Sequence, residues 1–155
     1  MRVTAKARYA VTALLDIALQ ADQRPIALVE IAQRQNLSLP YLEQLFCRLR
    51  KQGLVSSVRG PAGGYRLCQS ASAITIGMIL QAVEEQVDTT HCLGLQQCQH
   101  GERCLTHPLW SALNERIQQF LGTVTLSELS RSPAVQQVAC RQADLTVQRQ
   151  QAINC

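Results

Sequence analysis

The sequence predicts a mainly α-helical protein with one small β-hairpin. Three observations carry that prediction. Apolar residues recur at three- and four-residue steps over 4–20, 28–35, 39–52 and 74–85, the repeat of one helix face. Two short runs, 54–58 and 65–68, flank the turn RGPAGG, whose glycines can take the positive φ that a hairpin turn requires. A long apolar repeat then returns in THPLWSALNERIQQFL, beyond a cysteine-rich stretch.

Residues 4–20 form the first predicted helix. Thr4 suits its cap, and Tyr9, Ala10, Ala13, Leu14 and Ile17 make its apolar face. The second spans 28–35, with Leu28, Ile31 and Ala32 on one side. In QNLS, Asn36 tolerates the left-handed conformation of a sharp turn. Ser38 is read as an N-cap and Pro40 as part of a first helical turn. The third helix, about 39–52, buries Leu42, Leu45, Phe46 and Leu49 and ends at Gly53.

Two helices, a four-residue turn and the small Ala32 where they approach make a helix-turn-helix. An ordinary helical hairpin would share the pattern. The polar face of the third helix separates the two readings. It shows Ser38, Tyr41, Glu43, Gln44, Arg48 and Lys51 beside Pro40, groups that hydrogen-bond base edges and neutralise phosphates. Glu43 is the one acid on that face, and its natural donor in a major groove is the cytosine amino group. The hairpin that follows completes a winged helix. Arg59 and Gly60 form its tip, with Arg59 placed for a narrow minor groove. GPAGG is not a phosphate-cradling loop, since no Lys-Ser/Thr and no helix follow it.

ITIGMILQAVEE, 74–85, reads as a helix capped by Thr75, burying Ile76, Ile79, Leu80 and Val83. In the helix beginning near Thr106 and Pro108, Trp110, Leu113, Ile117, Phe120 and Leu121 form a wide apolar face. Pairing with its copy would bury that face in a twofold homodimer; packing within one subunit is the alternative. TLSE, 125–128, is a capping box opening a short helix that stops near Pro133. The domain boundaries expected are 1–73 for the winged helix-turn-helix, 74–133 for a loop with dimerisation helices, and 134–155 for a Gln-rich, structureless tail.

Charge divides the chain the same way. Residues 1–66 carry ten Lys/Arg against four Asp/Glu; residues 67–155 carry five against seven. A basic first half implies that this half meets a polyanion, here double-stranded DNA at operator sites. No apolar run nears the ~18 residues of a membrane span, so no membrane partner is expected. The N-terminal apolar run is broken by Asp16 and has helical period, unlike a signal peptide. A cytoplasmic protein is the expectation, in which seven cysteines serve metal or redox chemistry rather than disulfides.

CLGLQQCQHGERCLTH, 92–107, places Cys92, Cys98, Cys104 and His107 at gaps of five, five and two residues. Structural zinc favours closer cysteine pairs, whereas loops of this length can wrap an iron–sulfur cluster. His107 lies in a first helical turn, where its imidazole is available to a metal. Spacing alone leaves an iron–sulfur cluster, a zinc ion and a thiol switch open.

The segments RYAVTALLDIAL, SLPYLEQLFCRLRKQGLVSSVRGPAGGY and CLTHPLW resemble the IscR family of bacterial iron–sulfur cluster regulators, over most of the chain. NsrR (nitric oxide) and CymR (cysteine supply) are relatives with the same winged-helix architecture. The resemblance implies a [2Fe–2S] cluster on Cys92, Cys98, Cys104 and His107, delivered by the cluster assembly machinery. It implies a homodimer that represses the assembly genes when loaded and regulates a second promoter class, as activator or repressor, without the cluster. The chain departs from the family pattern in its less glycine-rich LGLQQ, in the extra His91 and His100, and in Pro40 where a small hydroxyl residue is expected. Two other functions fit the residues less well: a zinc-stabilised, constitutive DNA-binding protein and an iron–sulfur electron carrier. No catalytic constellation is present, so no enzyme is expected.

Overall fold

The computed structural model describes residues 3–20, 24–85, 88, 95–99 and 101–153. Their order is α1 (Ala5–Gln20), α2 (Leu28–Gln35), α3 (Leu39–Lys51), β1 (Val55–Val58), β2 (Gly64–Leu67), α4 (Ile76–Ala82), α5 (His107–Thr123), α6 (Leu126–Arg131) and α7 (Pro133–Ile153). This is the mainly helical winged helix-turn-helix that the residue pattern predicts. The core lies where α1, α3, α4 and the hairpin converge. Ala7, Ala10, Ala13 and Leu14 of α1 meet Leu42, Phe46 and Leu49 of α3 and Ile79 and Val83, all fully buried. Three alanines on one face let neighbouring helices approach α1 closely, while Phe46 fills the space between them.

The turn between α2 and α3 is built as its sequence requires. Asn36 adopts φ 53°, ψ 50°, and the Leu37 N–H reaches the Ala32 carbonyl at 2.9 Å. Ser38 occupies the N-cap position of α3, but its side chain makes no capping hydrogen bond. Pro40 in the first turn removes an N–H that would otherwise need a partner.

The hairpin pairs Val55 with Leu67 and Val58 with Gly64. A third strand-like contact anchors it: Ile26 and Tyr65 exchange backbone hydrogen bonds of 3.0 and 2.8 Å. A side chain at Gly64 would put its Cβ 2.4 Å from the Ile26 carbonyl carbon, so glycine permits the approach. The Tyr65 ring lies edge-on to Phe46 at 4.8 Å. The wing is thereby joined to the core on which α3 sits.

Helix α4 is shorter than its apolar repeat. Ile74 and Thr75 are extended because they pair with the segment entering α6: the Leu126 N–H bonds Ile74 and the Ile76 N–H bonds Val124, at 3.0 and 2.9 Å. Thr75 caps α4 through the Met78 N–H at 3.2 Å. Thr125 and Glu128 form the expected capping box.

The segment 134–155, expected to lack structure, is corrected: through residue 153 it continues helix α7. Val135, Ala139, Gln142 and Thr146 are its half-buried positions, a helical stripe of which half is polar. A search for apolar residues passes over such a stripe. What holds it is Gln142, which exchanges amide hydrogen bonds of 3.0 and 3.1 Å with Gln35 at the end of α2. Gln35 also donates to Asp16 at 2.6 Å. Asp16, only 4% exposed, accepts two further bonds from Arg34 at 2.6 and 3.1 Å. This buried pair raises the Arg34 pKa, chiefly through the hydrogen bonds to Asp16. The network spans α1, α2 and α7.

Candidate functional site

The first candidate surface is the outer face of α3 with the wing. Ser38, Pro40, Glu43, Gln44, Arg48 and Lys51 are exposed. Gln44, Arg48 and Lys51 follow at steps of four and three, hence on one strip. Tyr41, expected to be exposed, is half-buried. Its ring stands edge-on to Tyr9 at 5.8 Å, so part of the phenol packs on α1. Arg48 carries a partner that its sequence position did not reveal: Nη1 donates to Glu84 at 2.6 Å. Arg59 and Gly60 are exposed at the wing tip. Gly60 takes φ 114°, the left-handed side that suits glycine, and turns the chain immediately after Arg59.

The second candidate is the cysteine loop. Cys92 lies outside the described residues, as do His91 and His100. Cys98, Cys104 and His107 are described. Cys98 Sγ stands 3.1 Å from Nδ1 of His107. His107 is the first residue of α5 and is buried. Its Nε2 stands 3.1 Å from the Ser111 hydroxyl one turn on. One ring nitrogen is thus directed at a thiol and the other is held by the helix. Sequence reasoning missed Ser111; its i+4 spacing from His107 was the available signal.

Thr106 does not act as the expected side-chain cap of α5. Its hydroxyl instead accepts from Trp110 Nε1 at 3.2 Å and lies 3.7 Å from Cys104 Sγ. That contact lowers the Cys104 pKa, with smaller help from Cys98 and the N–H groups of Thr106 and His107. A thiol so placed loses its proton to a metal more readily. Among the described residues no set of three or more His, Cys, Asp or Glu side chains is gathered tightly enough to hold a metal. The donor types nonetheless fit. Thiolates with one imidazole suit an iron–sulfur cluster or zinc, and Ser111 is the outer-shell partner that a ligating histidine usually has.

The apolar residues of α5 divide. Ile117 and Leu121 are half-buried against the subunit's own core. Trp110, Leu113 and Phe120 face outward with Leu109, at 42, 40, 65 and 62% exposure.

Three comparisons place this architecture. Residues 3–132 match the family model Rrf2, described as an iron-dependent transcriptional regulator. The chain belongs to the Rrf2 family. Within it, this Rrf2 protein is 56% identical over 142 residues to the HTH-type transcriptional regulator IscR of Yersinia enterocolitica, covering 92% of this chain and 87% of that one. IscR of Pectobacterium carotovorum matches to the same extent. Among solved structures, CymR, the global cysteine regulator of B. subtilis, superimposes with TM-score 0.75 at 33% identity, over 84% of this chain and 96% of that one. T. potens IscR gives 0.68 at 35%, over 83% and 85%. This Rrf2 protein is a DNA-binding transcriptional regulator of the IscR type and not an enzyme. Among the described residues no helix is long and apolar enough to cross a membrane.

Proposed function

We propose that this Rrf2 protein is a cytoplasmic, homodimeric sensor of iron–sulfur status. In this reading Cys92, Cys98, Cys104 and His107 hold a [2Fe–2S] cluster received from the assembly machinery. The loaded dimer represses the cluster assembly genes, and the cluster-free dimer regulates a second class of promoters. The supporting observation is the approach of Cys98 Sγ to His107 Nδ1 with Ser111 on the opposite nitrogen. Ligation through Nδ1 needs the tautomer in which Nε2 carries the proton, and the Ser111 hydroxyl is in place to accept from it. When bound, the cluster supplies a redox-active, labile centre whose presence reports assembly. One imidazole among thiolates raises its potential and loosens the hold on it. The outward stripe Leu109, Trp110, Leu113 and Phe120 supports the dimer, since monomers rarely leave such patches bare.

Purification without oxygen, with assays for iron, sulfide and zinc, tests the reading. Iron and sulfide in equal amounts support it; stoichiometric zinc without sulfide would indicate the zinc-stabilised, constitutive regulator instead.

The wing gives a second expected result. Arg59→Ala weakens DNA binding and flattens its salt dependence by about one log–log unit per subunit, the share of one phosphate-neutralising cation. Fluorescence anisotropy across a salt series measures both quantities. Equal slopes for variant and wild type would take the wing out of the interface.

Glu43 is expected to act on specificity. An acid facing DNA repels phosphates and acceptor edges unless a cytosine amino group is present, so it excludes wrong sites. Glu43→Ala should let the cluster-free protein bind promoters that it otherwise rejects, while the loaded protein loses little. Titration against both promoter classes at one salt concentration checks this. Unchanged discrimination would make Glu43 a bystander.

A further inference from the structure

Gln96 and Arg103 lie in the cysteine loop and are not among its assigned ligands. Gln96 is two residues before Cys98; Arg103 is directly before Cys104. Arg103 Nε donates to Gln96 Oε1 at 2.8 Å, and Nη2 donates to the same oxygen. A second cross-link lies between these residues in the chain. Gln99 and Glu102 exchange backbone hydrogen bonds of 3.0 and 2.8 Å. The residues around Cys98 are thus tied to those before Cys104 by backbone and again by side chains.

Gln96 holds its place against its own backbone preference. Its φ is 60°, in the left-handed region that glycine enters freely and a residue with a Cβ enters at a cost. A glycine there would adopt the same backbone without strain, but it would offer Arg103 no oxygen. What the glutamine side chain adds is the clasp.

A group held by several ligands of one loop leaves as those ligands move apart in turn. A cross-link beside two of them restricts that motion, because it limits how far the Cys98 and Cys104 positions can separate. Both side chains are exposed, so water competes for the bond and the restraint is moderate.

We propose that the Gln96–Arg103 clasp is a positioning device that lengthens the lifetime of the cluster on its ligands. The proposal rests on the cluster reading above. Each residue acts through its neighbours, by keeping Cys98 and Cys104 at a fixed separation.

The test uses full-length protein loaded with iron and sulfide without oxygen, then mixed with excess EDTA while the visible absorbance of the cluster is followed. Gln96→Ala should lose the cluster faster by on the order of fivefold, the share of one exposed hydrogen bond to a charged group. Arg103→Ala removes a cation as well, so the neutral change at Gln96 is the primary measurement. Joined in one chain, the two changes should release the cluster no faster than the quicker single variant, since both break the same bond. Gln96→Glu keeps an oxygen for Arg103 and should release at the wild-type rate or more slowly. Iron and sulfide content and circular dichroism before mixing confirm that each variant starts loaded and folded. A wild-type rate in Gln96→Ala overturns the clasp. So do multiplied effects in the double variant, or release from Gln96→Glu as fast as from Gln96→Ala. Failure of the wild type to take up iron and sulfide refutes the cluster reading, and this proposal with it, before any variant is compared.

Discussion

Cys98→Ala should abolish stable cluster loading while leaving the helical fold intact. The thiol at this position is directed at His107 Nδ1, 3.1 Å away, and Cys104 is the one other cysteine described within the loop. A cluster bound by four protein ligands loses a corner with each deletion, and no spare thiolate in the loop replaces it. Cys92→Ala, Cys104→Ala and His107→Ala should fail in the same way. Cys98→Ala is the cleanest of them. Its side chain is only half-buried, whereas His107 is buried and bonded to Ser111 at the start of α5. The winged helix keeps its own core, so thermal unfolding should change little. Iron and sulfide assays on anaerobically purified protein give the readout. Full occupancy in Cys98→Ala would show that the ligand assignment is wrong.

Asp16→Ala should be strongly destabilising. The carboxylate accepts from Arg34 twice and from Gln35 once, with its side chain 3% exposed. Removing one partner of a buried pair typically costs 3–5 kcal/mol, because the remaining charge stays buried without compensation. Glu30 lies 3.5 Å from Arg34 and takes over part of that role, so the expected loss is about 3 kcal/mol. For a chain of this length that corresponds to a fall in Tm on the order of 10 °C. The damage should extend to α7, whose Gln142 is held by the same Gln35 amide. A urea melt of Asp16→Ala beside the wild type measures the loss. A change under about 1 kcal/mol would mean that the network does not hold these helices together.

The sequence by itself determined the elements whose signals are local. Asn36 in its left-handed turn, Pro40 in the first turn of α3, the Thr125–Glu128 capping box and the apolar repeats of α1 to α3 depend on neighbours a few residues away. Those residues mark out the helix-turn-helix, the wing and the outward face of α3 without further help. Cysteine spacing likewise marked the loop, and the residues of CLTHPLW pointed to the family.

Tertiary structure decided whatever depends on partners distant in the chain. α7 is bound through Gln142 and Gln35, 107 residues apart, so its stripe holds amides where a pattern search expects leucines. α4 stops short of its apolar repeat because Ile74 and Thr75 pair with the entry to α6. Ile117 and Leu121 turn inward while Trp110, Leu113 and Phe120 turn outward, a division that one continuous helical stripe does not reveal. Arg48 and Glu84, 36 residues apart, look like two unrelated solvated charges in the sequence. Only the packing of α4 against α3 brings them to 2.6 Å, because charge complementarity acts through space and leaves no periodic trace along the chain.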